Sequence, residues 1–230
     1  MLFSILRGAY TPMEILVSVF ALAFVIFCTM PVHEYAHALV ASKLGDNTPR
    51  LSGRLTLNPM AHIDWIGALM IILVGFGYAK PVPINPRNFG KPRRDLCIVA
   101  AAGPVSNLVL AFLGLAVYRF SNFVAFDLVR IQSISTFYGM WSIFAYSFVS
   151  ANISLAVFNL IPLPPLDGSR LASVLLPTRI AYAIERYEQY IMFAVMLLLY
   201  FGKLDGIIFF FSNLIFGLFN SFLSLFPCFL

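Results

Sequence analysis

The stretch TPMEILVSVFALAFVIFCTMPVHEYAHALVASKLG, residues 11–45, decides how this chain is built. It opens like a helix: Thr11 can cap, Pro12 suits a first turn that does not need its missing N–H, and Glu14 stands where a capping box wants a carboxylate. Gly45 supplies a stop. The roughly 31 residues between them make about 46 Å of helix, more than a hydrocarbon layer of about 30 Å, so the helix must tilt or protrude. Its far end carries His33, Glu34 and His37.

The rest of the chain agrees with a lipid setting. Of 230 residues, 60% are hydrophobic and 11% charged, whereas soluble domains carry about 25% charged residues. The expectation is an all-α polytopic membrane protein forming one domain over 1–230, with a core at about 13–180 and additional C-terminal helices in 187–226. Further apolar helices are expected at 96–118, 140–161, 187–201 and 206–226, giving five to six in all. The N-terminal MLFSILRGAYTPMEI has no small-residue cleavage site and reads as leading into a retained helix.

Two segments break the pattern. Within 47–58, RLSGRLTL alternates polar and apolar residues with period two and predicts a small β element. Residues 65–79 are apolar but short, carry Gly67, Gly75 and Gly77, and run into KPVPINPRNFGKPRRD, whose four prolines rule out a regular helix. Cys28, Cys97 and Cys228 have no metal-ligand spacing and read as packing residues. The net charge of +5 comes from 15 Lys and Arg clustered between apolar stretches, which fits loops beside a membrane and not a nucleic-acid surface.

HEYAH at 33–37 places two imidazoles one helical turn apart on one face, where both can reach one metal ion. Glu34 is rotated off that face and can serve a water molecule without being a ligand. Ionisable groups at such depth cost several kcal/mol each, which weighs against a pair of merely structural histidines. A catalytic zinc commonly takes three protein ligands, so a third donor is needed. Asp46, Asp95, Asp127 and Asp205 lie among ordinary turn residues; Asp64 is less easily set aside. Asp167 differs, because Pro162, Pro164 and Pro165 stop the helix before it and Gly168 permits a tight turn that can aim the carboxylate into the bundle.

These residues resemble the site-2 protease family of intramembrane metalloproteases. HEYAH is similar to its first zinc motif and NLIPLPPLDG, 159–168, to its second. AAGPVSN at 101–107, LNPMAHID and GYAKPVPINPRN resemble patterns of its compact members, which lack a PDZ domain. The resemblance covers about 20–180, and the last fifty residues match nothing nameable. It implies one Zn2+ per chain held by His33, His37 and Asp167, with Glu34 as the catalytic acid/base and Asn159 as the Asn ahead of the Asp-Gly pair. Expected partners are the bilayer and transmembrane protein substrates, with a homo-oligomer left open. The compact form alone suggests a prokaryotic plasma membrane.

A topological test needs no family. If every apolar segment crossed, the ends bearing His33, His37 and Asp167 would lie about 30 Å apart, and no metal site could close. One segment must fold back, and 65–79 is the candidate for a re-entrant course. With that segment folded back, 11 basic residues fall on the site's side and Arg7, Arg119, Arg130 and Lys203 on the other, which puts the site toward the cytoplasmic side.

In the expected reaction Glu34 takes a proton from water and returns it to the leaving amine. Asn159 is the first candidate to stabilise the oxyanion and Asn107 the second; either could instead bridge helices. The 50–57 stretch could pair with an unwound substrate or merely cover the bundle end. His62 could line a water path, support a ligand or hold a loop. The rival functions are a catalytically silent adaptor, against which Glu34 argues, and a metal or proton transporter, which would carry ionisable groups through the full membrane depth.

Overall fold

The structure, a computed structural model, describes residues 11–65, 67, 80–125 and 132–226. The opening helix begins as its sequence suggests. The Thr11 hydroxyl accepts from the Glu14 amide at 3.3 Å, and the Glu14 carboxylate accepts from the Thr11 amide at 2.7 Å. Helix α1 (Pro12–Phe24) then passes through a π-turn (Val25–Thr29) into α2 (Met30–Lys43) without leaving the helical path. Pro31 accounts for the π-turn: it has no N–H to give to the preceding turn and its ring crowds the carbonyl four residues back, and the helix adjusts by bonding the Met30 amide to Val25 five residues away. The run ends at Gly45, whose φ of 107° only glycine adopts without strain.

After α2 come two short turns of helix, α3 (Thr48–Leu51) and α4 (Pro59–His62), then the long α5 (Pro92–Ala125) and α6 (Gln132–Asn159). The chain closes with α7 (Asp167–Ser173), α8 (Thr178–Arg186), α9 (Glu188–Tyr200) and α10 (Asp205–Leu223). Four helical stretches are long and apolar enough to cross a membrane: Pro12–Lys43, α5, α6 and α10. Helix α9 is apolar but has 13 residues, about 20 Å, short of the hydrocarbon thickness. Among the described residues, then, four apolar helices are long enough to cross and one is shorter, where five to six apolar helices were expected. Outward-facing Leu16, Phe20, Val109, Leu113, Phe209 and Leu218 are exposed, as lipid contact requires.

Ala111 and Leu115 of α5, Val149, Ile153 and Val157 of α6, and Leu223 of α10 form one packed core. Gly114 lets α5 and α6 approach so closely that a Cβ there would lie 2.9 Å from the Phe148 ring. Such small-residue contacts are what hold helices together where lipid supplies no hydrophobic drive. A second cluster, Ala41, Phe89 and Val99, closes the end of the bundle that carries the basic loops.

The expected β element is absent among the described residues. Residues 50–57 begin as the last turn of α3 and continue as irregular chain. Pro49 opens a helical turn, and the Asp46 carboxylate accepts from the Thr48 amide and hydroxyl in place of any strand partner. The Arg54 guanidinium then donates to the Ala61 carbonyl and draws the stretch into a closed loop. The re-entrant expectation for 65–79 falls almost wholly outside the described residues. Its flanks are described, and they meet: the Lys80 amide donates to the His62 carbonyl at 2.8 Å, so the chain leaves and returns at one level.

Asp46 is the pin of this end. Fully buried, it also accepts from the Asn85 amide at 2.8 Å and the Asn88 side-chain amide at 2.7 Å. Burial opposes its ionisation, but the Thr48, Asn85 and Asn88 donors prevail and hold the carboxyl below the ordinary range. Asp46→Ala would strand these donors and should cost about 2–4 kcal/mol in reversible unfolding. Because the folded pKa is depressed, the wild-type contribution should be complete above the unfolded value of about 3.9 and disappear as pH falls through the lower folded value. The mutant should lose that pH dependence, measured as unfolding midpoint against pH.

Candidate metal centre

The histidines sit in the last turns of the long helix, and α5 packs across them. His37 Nδ1–H donates to the Val99 carbonyl of α5 at 2.8 Å, so its Nε2 is left as the free lone pair. His33 Nε2 lies 3.1 Å from His37 Nε2, with the rings edge-on at 77°. One turn after Val99, Gly103 faces both rings: a Cβ there would overlap His33 and His37. Glycine is thus required if the helix is to lie against the imidazoles, and the adjoining Pro104 is tolerated within α5.

Asp167 arrives from the opposite side. Helix α6 ends at Asn159, and the chain turns through the proline-rich 160–166 with Leu166 as the residue before α7. A Cβ on Gly168 would collide with the Leu160 and Ile161 carbonyls, so glycine lets this turn close. Asp167 Oδ2 thereby comes to 3.3 Å from His33 Nε2 and 3.3 Å from His37 Nε2.

The donor triangle has edges of 3.1, 3.3 and 3.3 Å. Tetrahedral coordination at about 2.0–2.1 Å from a zinc ion requires donor separations of about 3.3–3.4 Å. Asp167 Oδ2 is buried and accepts no hydrogen bond, so three lone-pair atoms face one point with nothing to neutralise them but a cation. Size, donor type and burial therefore all fit zinc.

Of the other residues singled out from sequence, Glu34 is half-buried on α2, about 100° around the helix from His33. Asn159 donates to the Leu155 carbonyl of its own helix at 3.0 Å. Asn107 is buried, with its Oδ1 lacking a donor, and stands one turn beyond Gly103 on the same face of α5. Among the described residues no hydrogen bond joins either Asn to the three donors. His62 is fully buried and donates to the Thr56 carbonyl at 2.7 Å, which makes it a loop anchor. Sequence reasoning missed Val99 and Gly103. Val99 acts through its backbone and leaves no side-chain signal, whereas a Gly-Pro pair inside an apolar helix was a readable sign of close approach.

A membrane-embedded helical bundle that brings two histidines and an aspartate to one point defines a metallohydrolase of lipid-bound type. Residues 20–202 match peptidase family M50. The chain is 39% identical over 189 residues to a Bacillus subtilis protein named "Putative zinc metalloprotease YwhC", covering 80% of this chain and 82% of that one. It is 32% identical over 143 residues to Rip2 of Mycolicibacterium smegmatis, which bears the same description, covering 60% of this chain and 50% of Rip2. Rip2 of Mycobacterium tuberculosis is 28% identical over 181 residues, 76% of this chain and 64% of that protein. No solved structure matches. The chain belongs to peptidase family M50, the site-2 proteases, and is a metalloendopeptidase.

Gly103→Ala should push α5 off the imidazoles and cut bound zinc in purified protein by at least about tenfold, as read by elemental analysis. Gly139→Ala, where a Cβ meets nothing, should leave metal content unchanged.

Proposed function

We propose that the protein hydrolyses peptide bonds within or beside transmembrane segments of membrane-protein substrates, using one zinc ion held by His33, His37 and Asp167. One observation carries this reading: the donor triangle lies between helices long and apolar enough to span lipid, at the end where the long first helix runs past the hydrocarbon length. When bound, zinc supplies Lewis acidity, which makes water nucleophilic near neutral pH and polarises the scissile carbonyl.

The chain's own residues manage protons and position. Glu34, next to His33 but turned off the donor face, accepts the proton of the attacking water at its carboxylate and delivers it to the departing amine nitrogen. Val99 fixes the His37 tautomer and ring plane, so that the Nε2 lone pair needs no reorientation. Asn159, at the end of the helix that leads to Asp167, is the first candidate donor to the oxyanion, and Asn107 the second. A substrate helix must be locally unwound before its carbonyl is reachable, and the strand edge once expected at 50–57 is not there to receive it.

The orientation follows from charge. Lys43, Arg50, Lys80, Arg87, Lys91, Arg93 and Arg94 are all exposed in the segments that close the site's end of the bundle, which favours a cytoplasmic placement of that end in a bacterial plasma membrane.

Reconstituted Glu34→Gln should retain zinc and lose about 10²–10⁴-fold in cleavage of a model transmembrane substrate. Undiminished cleavage by that variant would remove Glu34 from the reaction. Asn159→Ala should lower kcat about 10–10³-fold with little change in KM; an equal kcat would pass the oxyanion role to Asn107.

A further inference from the structure

A hydrogen bond one turn below the metal site links the two halves of the ligand set. Thr29 ends the π-turn and is buried, four residues before His33 and on the same helix face. Asn152 of α6 is fully buried; its side-chain amide donates to its own helix at Phe148, 2.9 Å, and across to the Thr29 hydroxyl at 3.4 Å. Helix α6 is the helix whose end leads to Asp167. The bond therefore ties the histidine-bearing helix to the helix that precedes the Asp167 turn.

We propose that Thr29 and Asn152 form a positioning latch that holds the π-turn in place and thereby keeps His33 and His37 in register with Asp167. The inference rests on the metalloprotease reading above and adds to it a device for aligning the ligands.

Two physical arguments carry it. A π-turn is one extra residue in a helical ladder, and it can migrate by exchanging hydrogen bonds with the next turn. Migration past residue 33 would turn the residues between the old and new positions, His33 among them, by about 100° relative to His37, and the two Nε2 atoms would no longer share one face. Pro31 explains why a π-turn forms here, but not why it ends at residue 29; the grip on Thr29 does. The second argument is cost. Asn152 Oδ1 is buried without a donor, an expense that an apolar side chain filling the same space would avoid. An amide used only to fill space between α1 and α6 has no reason to be there.

The variants Thr29→Val, which keeps shape and removes the hydroxyl, Thr29→Ser, which keeps the hydroxyl, and Asn152→Leu test the latch in the full-length protein. Thr29→Val and Asn152→Leu should weaken zinc retention against a competing chelator about tenfold. Both should also lower kcat at saturating zinc with KM within about twofold of wild type, a change confined to the aligned state. In metal-free protein, amides 25–33 should exchange hydrogen faster than in wild type. Thr29→Ser should behave as wild type in all three measurements. Wild-type zinc retention and exchange in Thr29→Val, or a Thr29→Ser as impaired as Thr29→Val, would overturn the latch. If wild-type protein bound no zinc, the metalloprotease reading would fail instead, and the exchange of amides 25–33 would still decide between a latch and mere packing. Should Asn152→Leu not fold, Thr29→Val gives the same decision.

Discussion

Three lone-pair atoms within 3.3 Å of one another, inside a lipid-sized bundle, are the constraint on which the rest of this structure depends. Such a grouping is repulsive on its own, and the burial of both imidazoles leaves little water to screen it. The surrounding chain must therefore force it. Gly103 removes the Cβ that would keep α5 from the imidazoles, and Gly168 removes the one that would keep the Asp167 turn open. Val99 contributes a backbone acceptor that orients His37. Each device is small, and each acts on a different donor or on the space around it.

The same constraint explains the shape of the first helix. A straight α-helix from Pro12 to Lys43 would present a continuous face with a fixed 3.6-residue period. The π-turn resets that phase just before the histidines, so the lipid-facing and metal-facing parts need not share one face. Phe20 and Phe24 meet Phe144 and Phe148 of α6 on the early part, while His33 and His37 meet α5 on the later part. One helix thus packs against two neighbours in succession, and the break in phase is what allows it.

Much of this was legible in the residues, and what was not has a common cause. Patterns confined to one segment translate directly: the Thr11–Glu14 capping box, the Gly45 stop and the pairing of His33 with His37 depend on neighbours within a turn. Asp167 was legible by another route, since the proline break marks where a helix must end and a carboxylate can turn inward. The β reading of 50–57 failed because alternation records which residues are polar and not what they bond. Here Asp46 and Arg54 supplied closer partners than any neighbouring strand. Hydropathy marked the last apolar segments without measuring their length finely: α9 falls short of a span by several residues, whereas α10 is long enough to cross. The π-turn was hidden for a different reason: its cause, Pro31, is visible, but its end at Thr29 depends on a residue 123 positions away.

Exposure around the site completes the physical picture. The imidazole side chains of His33 and His37 are 11% and 8% exposed, while that of Asp167 is 20% exposed. Helix α5 seals the histidine side, where Gly103 leaves no room for a ligand or a water molecule. The more exposed side is the one bounded by the turn from 160 to 166, where no regular helix intervenes. The least buried donor is therefore the carboxylate, the one whose backbone lies outside the helices long enough to span lipid. The tightly packed imidazoles thus stand at the back of the site and the carboxylate at its more exposed edge.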